Sequence, residues 1–213
     1  MERIKTATKI WFNLSRTREP HLILFDTKKY GKMLLIDDHI KFAESDEHLY
    51  YESLVHPAMV TQGNPREVLI IGGGDGLALR EVLKWSSVES VDLIDRDRDL
   101  IAIGIEKLKK LNSNAFSDKR VRYFASDGKA YLKNANKKYD VIIIDTIDPE
   151  VDQSLSELFS KEFYLIAKQK LKRDGVLVTV ASECESLTFS RIYKTLASVF
   201  PVARAYCVDI PSM

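Results

Sequence analysis

The run at positions 68 to 76, Val-Leu-Ile-Ile-Gly-Gly-Gly-Asp-Gly, constrains the fold more than any other stretch of the chain. Its apolar, β-branched part is typical of a strand buried on both faces of a parallel sheet, and the glycines predict a sharp turn into a helix. Open α/β sheets bind ligands at the carboxyl ends of such strands, where glycine lets the backbone approach closely. Gly72, Gly74 and Gly76 are therefore candidate ligand-binding residues.

Asp75 limits which ligand such a turn can accept. A dinucleotide-binding turn offers bare N–H groups to a pyrophosphate and has a third glycine, whereas this chain has a carboxylate at Asp75 and Leu77 at the third-glycine position. A carboxylate repels phosphate and attracts a cation. The sequence therefore predicts a sulfonium nucleoside as the ligand rather than NAD.

Length and composition narrow the class of protein further. A chain of 213 residues can hold one α/β domain and a small appendage, and the net charge of +1 gives no electrostatic reason to expect nucleic acid or a membrane as partner. The first twenty residues contain no apolar signal segment, and no later stretch is apolar enough for a membrane span. We therefore expect a cytoplasmic protein whose ligands are small molecules.

The cysteine content is low. Cys184 and Cys207 are the two cysteines, and their spacing matches no metal-binding pattern. We expect no metal site, and we interpret both residues as buried or idle thiols in a reducing compartment.

The N-terminal part of the chain predicts a small β domain. Two apolar runs, 22–26 and 32–36, flank Lys28 to Gly31 and indicate a β-hairpin, and a third short strand is expected near 40–43. Ser45 or Asp46 can cap a helix that runs to about residue 60. We predict an N-terminal β-strand domain over residues 1–45 and a catalytic domain over 46–213, in which 46–64 is a linking helix.

From residue 68 onward, strand and helix patterns alternate. This alternation predicts an α/β fold with a doubly wound, mostly parallel, Rossmann-like sheet. The expected strands cover residues 68–72, 90–94, 121–125, 140–145, 175–181 and 202–208. The expected helices cover residues 76–85, 98–111, 128–134, 158–171 and 185–199.

Acidic residues also follow three of the other predicted strands. Asp95 ends the second strand, where a carboxylate typically holds ribose hydroxyls, although it could instead cap the next helix, a task that Asp97 could also perform. Asp127, followed by Gly128, could accept an adenine amino group or could cap a helix. Asp145 and Asp148 end a strongly apolar strand, and a capped turn explains this pair less well than a functional role does.

Asp75, Asp145 and Asp148 would together form a negative cleft for a sulfonium donor and an amine acceptor. A free alkylamine has a pKa near 10.4, as lysine does, so it arrives protonated and unreactive at neutral pH. A carboxylate beside it can orient the ammonium group and take its proton while the nitrogen attacks. The acidic strand ends therefore favour transfer of a group from the sulfonium to an amine.

The motifs of this chain resemble those of the spermidine synthase family of polyamine aminopropyltransferases. The shared motifs follow the family's order and cover the chain from about residue 21 to its end. They are Gly-Gly-Gly-Asp-Gly followed by Arg80-Glu81-Val82, Asp46-Glu47-x-x-Tyr50, His56, Ser126-Asp127-Gly128, Asp145-x-x-Asp148-Pro149, Phe200-Pro201-Val202 and Ile210-Pro211-Ser212.

The resemblance implies decarboxylated S-adenosylmethionine as donor, methylthioadenosine as by-product and no further cofactor. It implies that Asp75 holds the aminopropyl ammonium of the donor, that Asp95 holds the ribose, and that Asp127 with Gly128 binds the adenine. On the acceptor side, it assigns the general base to Asp145 and a supporting hydroxyl to Tyr50. Asp148, Tyr50 and His56 would bind the acceptor amine, which is putrescine or a similar compound that would be converted to spermidine or a near relative.

Several positions depart from the family's pattern. Pro20 and Lys41 stand where the family has glutamine, Asp95 stands where it usually has glutamate, and Leu77 stands where a glycine is common. The family also has a tyrosine that opens a loop into a final strand, at the point where this chain ends with Met213. We therefore expect the sheet to lack that strand and to have unpaired edges beside its place.

Two other functions stay open on the sequence alone. An S-adenosylmethionine-dependent methyltransferase shares the sheet, the glycine turn and the ribose acid, so the fold does not distinguish it. A degenerate homologue that binds a nucleoside or a polyamine without turnover would account for Pro20, Lys41 and the missing strand. By resemblance we expect a homodimer or a higher homo-oligomer.

Overall fold

The computed structural model describes residues 7–14, 22–147, 153–184 and 186–213 of the chain. The chain forms two compact units, one comprising residues 1–53 and 208–213 and the other residues 54–207. The sequence analysis placed a domain boundary between residues 45 and 46, and this boundary stays a prediction. No helix of the described residues is long and apolar enough to cross a lipid bilayer.

The first unit contains a four-stranded antiparallel sheet with the strand order β1-β2-β3-β4. Its strands are β1 (Ala7–Leu14), β2 (Leu22–Thr27), β3 (Gly31–Ile36) and β4 (His39–Ala43). The predicted hairpin and third strand are confirmed, and a buried apolar cluster that includes Phe25 and Met33 lies on one face of the sheet. Strand β1 was not predicted. Its pairing with β2 is interrupted by two register shifts, so its residues do not keep the simple alternation that marks a strand in a sequence.

A buried hydrogen-bonded contact joins the two chain segments of the first unit. The backbone N–H and the hydroxyl of Ser212 both donate to the carboxylate of Asp46, at 2.9 and 2.7 Å. Asp46 directly precedes helix α1 (Glu47–Gln62), which begins in the first unit and ends in the second. The Asp46 carboxylate therefore has a structural partner that the sequence did not reveal.

The second unit is built on a five-stranded parallel sheet with the strand order β7-β6-β5-β8-β9. The strands are β5 (Glu67–Gly72), β6 (Ser90–Asp95), β7 (Val121–Ala125), β8 (Tyr139–Asp145) and β9 (Leu171–Thr179). The helices are α2 (Leu77–Leu83), α3 (Arg98–Glu106), α4 (Gly128–Asn134), α5 (Lys161–Lys170) and α6 (Leu187–Val199), with 3-10 turns over Ala115–Ser117 and Gln153–Phe159. The predicted α/β fold with a parallel sheet and an N-terminal hairpin is confirmed.

The strand predicted over residues 202–208 is wrong. These residues carry no strand assignment, and β9 is the edge of the sheet within the described part of the chain. A strand is defined by the neighbour with which it pairs, and its sequence pattern does not ensure that the neighbour is there.

The interpretation of the cysteines as idle thiols is also wrong. Cys184 and Cys207 form a disulfide, with 6.3 Å between their Cα atoms and 23 residues between them in sequence. The disulfide joins the loop after β9 to the irregular segment that follows α6. Sequence spacing alone could not show that the fold brings these two positions together. The cysteines therefore no longer indicate a reducing compartment, and a cytoplasmic location stays a prediction.

Candidate active site

The loop that follows β5 requires glycine at several positions. Gly72, Gly73 and Gly76 have φ angles of 85°, 71° and 79°, in the left-handed region that residues with a Cβ atom rarely adopt. A Cβ atom on Gly72 would lie 2.1 Å from the carbonyl oxygen of Asp145, which is closer than any real contact. The glycines thus allow the loop to turn directly over the end of the neighbouring strand β8.

The ends of both neighbouring strands hold this loop in place. The N–H group of Gly73 donates to the carbonyl oxygen of Asp145 at 3.0 Å. The N–H group of Gly74 donates to the Asp95 carboxylate at 2.9 Å. Because β6 and β8 pair with β5 in parallel register, with Gly72 opposite Asp145, their acidic ends meet at the same edge of the sheet as the glycine loop.

Asp75 lies within the loop and is fully buried. Its Oδ1 atom accepts a hydrogen bond of 2.8 Å from the N–H group of Leu77, the first residue of α2. This contact occupies one of the N–H groups that a dinucleotide fold would present to a phosphate. A contact of this carboxylate with a cationic ligand stays a prediction.

Asp95 is buried and accepts backbone hydrogen bonds from Gly74 and Asp97, each of 2.9 Å. Burial raises the pKa of the Asp95 carboxyl to about 6, and the negative charges of Asp97 and Asp75 add to the effect of burial. The capping task that the sequence left open belongs to Asp97, whose side chain accepts from the N–H groups of Asp99 and Leu100 at the start of α3. Asp95 therefore has no capping role.

Asp127 does cap a helix. Its side chain accepts a 2.7 Å hydrogen bond from the N–H group of Ala130, in the first turn of α4, and it is exposed to solvent. Gly128 is buried, and a Cβ atom there would lie 2.4 Å from the Cγ2 atom of Ile71. The turn at Asp127 and Gly128 therefore brings α4 against β5. A contact of Asp127 with adenine stays a prediction.

Asp145 ends β8 and is buried, with 1% of its surface exposed. Its backbone carbonyl holds Gly73, as described above, and its carboxylate faces the same turn, since a Cβ atom built on Gly73 would lie 3.1 Å from the Oδ2 atom. Asp148, the other predicted acid of this strand end, lies outside the described residues. Of the five predicted acidic residues, Asp75, Asp95 and Asp145 are thus buried at the carboxyl edge of one sheet.

Tyr50 lies on α1 within the first unit, and a buried cation lies beside it. The ammonium group of Lys41 lies 5.3 Å from the ring centroid of Tyr50 and 5.7 Å from that of Tyr51. Lys41 is 4% exposed, and its position over two aromatic faces is that of a cation–π contact. The cation at position 41 is therefore held by the aromatic residues of its own unit.

His56 takes part in a polar network with Trp85 and Glu81. The indole N–H of Trp85 donates to Nδ1 of His56 at 3.1 Å, so the proton of the neutral ring is on Nε2, which lies 3.0 Å from Oε2 of Glu81. Burial alone would raise the pKa of Glu81, but the hydrogen bonds and charges of Lys84 and Arg80 outweigh it and lower that pKa. Both ring nitrogens of His56 are thus engaged within the second unit.

Asn112, which follows α3 in the chain and contacts the glycine loop, was not predicted as a site residue. Its Nδ2 atom donates to the carbonyl oxygens of Asp75 and Gly104, at 3.0 and 2.8 Å. It belongs to no motif and follows a helix in a polar turn, so nothing in the local pattern singled it out.

The parallel sheet, the glycine loop and the buried carboxylates define an α/β domain of the nucleoside-binding class. Residues 47–213 match the family model described as the spermine/spermidine synthase domain. The chain belongs to the spermine/spermidine synthase family. The predicted resemblance is thereby confirmed.

Known relatives agree with this membership. The chain is 39% identical over 196 residues to a polyamine aminopropyltransferase of Pyrobaculum calidifontis, covering 90% of this chain and 68% of the relative. It is 38% identical over 196 residues to thermospermine synthase ACAULIS5 of Arabidopsis thaliana, covering 90% of this chain and 58% of that protein. Among solved structures, a spermidine synthase in complex with the transition-state analogue AdoDATO superposes with a TM-score of 0.90 at 33% identity, covering 96% of this chain and 69% of that one.

Proposed function

We propose that this chain transfers an aminopropyl group from decarboxylated S-adenosylmethionine to an amine, with putrescine or a similar compound as acceptor and spermidine or a near relative as product. The observation that carries the proposal is the buried carboxylate of Asp75 inside the glycine loop, in a chain of the spermine/spermidine synthase family. A nucleoside whose only charges are positive suits this loop, whereas one with a carboxylate of its own would be repelled.

The donor would lie along the carboxyl edge of the sheet. Asp75 would hold the ammonium group of the aminopropyl chain, Asp95 the ribose hydroxyls, and Asp127 with Gly128 the adenine. Gly72, Gly74 and Gly76 would let the sulfonium end approach the backbone, because no side chain intervenes. The reaction needs neither a metal nor an organic cofactor, since the sulfonium is itself the activated leaving group.

In the transfer step, the lone pair of the acceptor nitrogen attacks the propyl carbon that is bonded to sulfur. The carbon–sulfur bond breaks, its electrons neutralise the sulfonium, and methylthioadenosine leaves. Asp145 would take the proton that the nitrogen loses, which makes it the general base. Alignment of nitrogen, carbon and sulfur would supply the larger part of the rate enhancement.

The acceptor side of the site is proposed from the family motifs. Tyr50 would support the base through its hydroxyl, and Asp148 would steer the ammonium groups of the acceptor. An acceptor contact of His56 would have to use the ring face or a C–H edge, because its two nitrogens already bond Trp85 and Glu81. A homo-oligomeric state and a cytoplasmic location stay predictions.

The donor preference of the protein tests the proposal. Calorimetry should show tighter binding of decarboxylated S-adenosylmethionine than of S-adenosylmethionine, because Asp75 attracts the ammonium group but repels the carboxylate. Tighter binding of the carboxylated donor would indicate a methyltransferase. Binding of the decarboxylated donor without any transfer to an amine would indicate a degenerate homologue.

The raised pKa of Asp95 predicts a pH-dependent affinity for the nucleoside. Ribose hydroxyls donate to an ionised carboxylate, and the free protein holds Asp95 protonated below its pKa of about 6. Affinity for methylthioadenosine should therefore be constant above about pH 7 and fall by up to about tenfold per pH unit below the pKa. Calorimetric titrations between about pH 5 and pH 8 measure this. The Asp95→Asn variant should bind weakly with little pH dependence, and a wild-type affinity that stays constant down to pH 5 would contradict the ribose role.

A further inference from the structure

Asn112 is fully buried, and the two polar atoms of its amide differ in their hydrogen bonding. Both neighbours of its Nδ2 atom, the backbone oxygens of Asp75 and Gly104, are acceptors, which fixes the orientation of the amide. Its Oδ1 atom is buried and has no hydrogen-bond partner among the described residues. A buried acceptor without a hydrogen-bond partner destabilises the fold, so a packing role alone does not explain an asparagine here. The hydrogen bonds of the side chain are therefore made by its two N–H donors.

The two carbonyl groups that accept hydrogen bonds from Asn112 lie where helix α3 packs against the glycine loop. Gly104 is near the end of α3, where helix carbonyls lack partners within the helix. A Cβ atom on Gly104 would lie 2.3 Å from the carbonyl oxygen of Gly74, so α3 lies directly against the glycine loop. The Asn112 amide bridges this junction, because one of its N–H groups bonds the helix and the other bonds the loop.

The loop carbonyl that Asn112 holds belongs to the same residue that carries the buried carboxylate. The preceding N–H group, of Gly74, is fixed by Asp95, and the following turn at Gly76 has a φ angle of 79°. A Cβ atom on Gly76 would also lie 2.9 Å from Nδ2 of Asn112, so the amide contacts the turn on both sides of the peptide bond. Asn112 thus holds the Asp75–Gly76 peptide group, and Asp95 holds the Gly73–Gly74 peptide group one residue earlier. Together these contacts restrict the orientation of the Asp75 backbone and so the direction of its side chain.

We propose that Asn112 is a positioning residue that aims the Asp75 carboxylate at the ammonium group of the donor. The proposal rests on the proposed function, in which Asp75 holds that group. Asn112 acts through the loop backbone and touches neither the ribose nor the adenine side of the site in this assignment. Its loss should therefore weaken a donor that carries the ammonium group more than a nucleoside that lacks it.

The test compares two ligands in one variant. In Asn112→Ala, the dissociation constant of decarboxylated S-adenosylmethionine should rise by about tenfold, while that of methylthioadenosine should rise by less than about threefold. Asn114→Gly is the matched control, because Asn114 lies in the same turn with a φ angle of 57° that glycine adopts readily. The control should leave both constants unchanged. An equal loss for both ligands, or no loss, would overturn the positioning role.

A second variant and a second measurement keep the test decisive if the alanine variant does not fold. Asn112→Ser retains one donor and should show the same selective loss at a smaller size. Hydrogen–deuterium exchange of the segment 72–79 should be faster in either folded variant than in the wild type and unchanged in Asn114→Gly. An unchanged exchange rate would contradict a role of Asn112 in stabilising the loop.

The same titrations separate this inference from the proposed function. If the wild type does not bind decarboxylated S-adenosylmethionine more tightly than methylthioadenosine, the ammonium contact of Asp75 fails and the role of Asn112 fails with it. If the wild type shows that preference and Asn112→Ala retains it in full, only the role of Asn112 is overturned.

Discussion

Replacing Asp145 with asparagine is expected to lower kcat by about 10²–10⁴-fold, the usual contribution of a general base, and to leave methylthioadenosine binding largely intact. The amide cannot take the proton of the attacking nitrogen. The substitution keeps the backbone carbonyl of Asp145, to which Gly73 donates, so the glycine loop should be preserved. Single-turnover kinetics with the decarboxylated donor measure the loss, and calorimetry with methylthioadenosine measures the retained binding.

Asp140→Asn is the matched control for this prediction. Asp140 lies on the same strand as Asp145, is buried, and accepts from the N–H groups of Arg66 and Glu67 and from the ammonium group of Lys172. Its replacement should lower the free energy of unfolding without changing kcat, because it touches no proposed substrate group. Turnover of Asp145→Asn at the wild-type rate would exclude Asp145 as the base.

Replacing Asp75 with asparagine is expected to weaken binding of the decarboxylated donor by about 30- to 100-fold, the size of a lost hydrogen bond between charged groups. The amide oxygen can still accept from the N–H group of Leu77, so the start of α2 should persist. Methylthioadenosine, which carries no ammonium group, should bind with a nearly unchanged dissociation constant and serves as the internal control. Calorimetry with both ligands measures the difference.

The same variant makes a second prediction about the carboxylated donor. Without the charge of Asp75, the loop should no longer repel the carboxylate of S-adenosylmethionine. The ratio between the dissociation constants of the two donors should therefore become smaller than in the wild type. A variant that keeps the full wild-type preference would show that some other group recognises the aminopropyl chain.

The core of the fold and much of the site could be predicted because they depend on local patterns. The apolar runs that end at Gly72 and Asp145 are each sufficient to predict a buried strand, and parallel pairing then places both ends at one edge. The position of Asp75 within the glycine turn could be predicted because it is visible in the sequence itself, and its role in ligand choice stays a prediction.

The features that could not be predicted depend on contacts between distant parts of the chain. The disulfide of Cys184 and Cys207, the bonds of His56 with Trp85 and Glu81, and the reach of Asn112 to the glycine loop all join segments that no periodicity connects. The strand predicted over 202–208 failed for the same reason, since a strand pattern does not reveal whether a neighbour is present. The sequence also could not show whether Asp95 or Asp97 caps α3, because that depends on the backbone geometry at the start of the helix.

The acceptor is the least constrained part of the proposed reaction. Lys41 is buried over the rings of Tyr50 and Tyr51, where the resemblance placed a glutamine and an acceptor-binding tyrosine. A fixed positive charge beside Tyr50 should disfavour acceptors with several ammonium groups. A panel of amines that differ in length and charge is therefore a better probe than putrescine alone.

Mass detection of the products formed from decarboxylated S-adenosylmethionine and such a panel, with putrescine, cadaverine, agmatine and spermidine, tests the central claim most directly. We predict that one or more of these amines gains an aminopropyl group and that methylthioadenosine forms in equal amount. A methylated amine formed from S-adenosylmethionine, or bound donor that yields no product with any amine, would contradict an aminopropyl transfer guided by the buried carboxylates of this sheet edge.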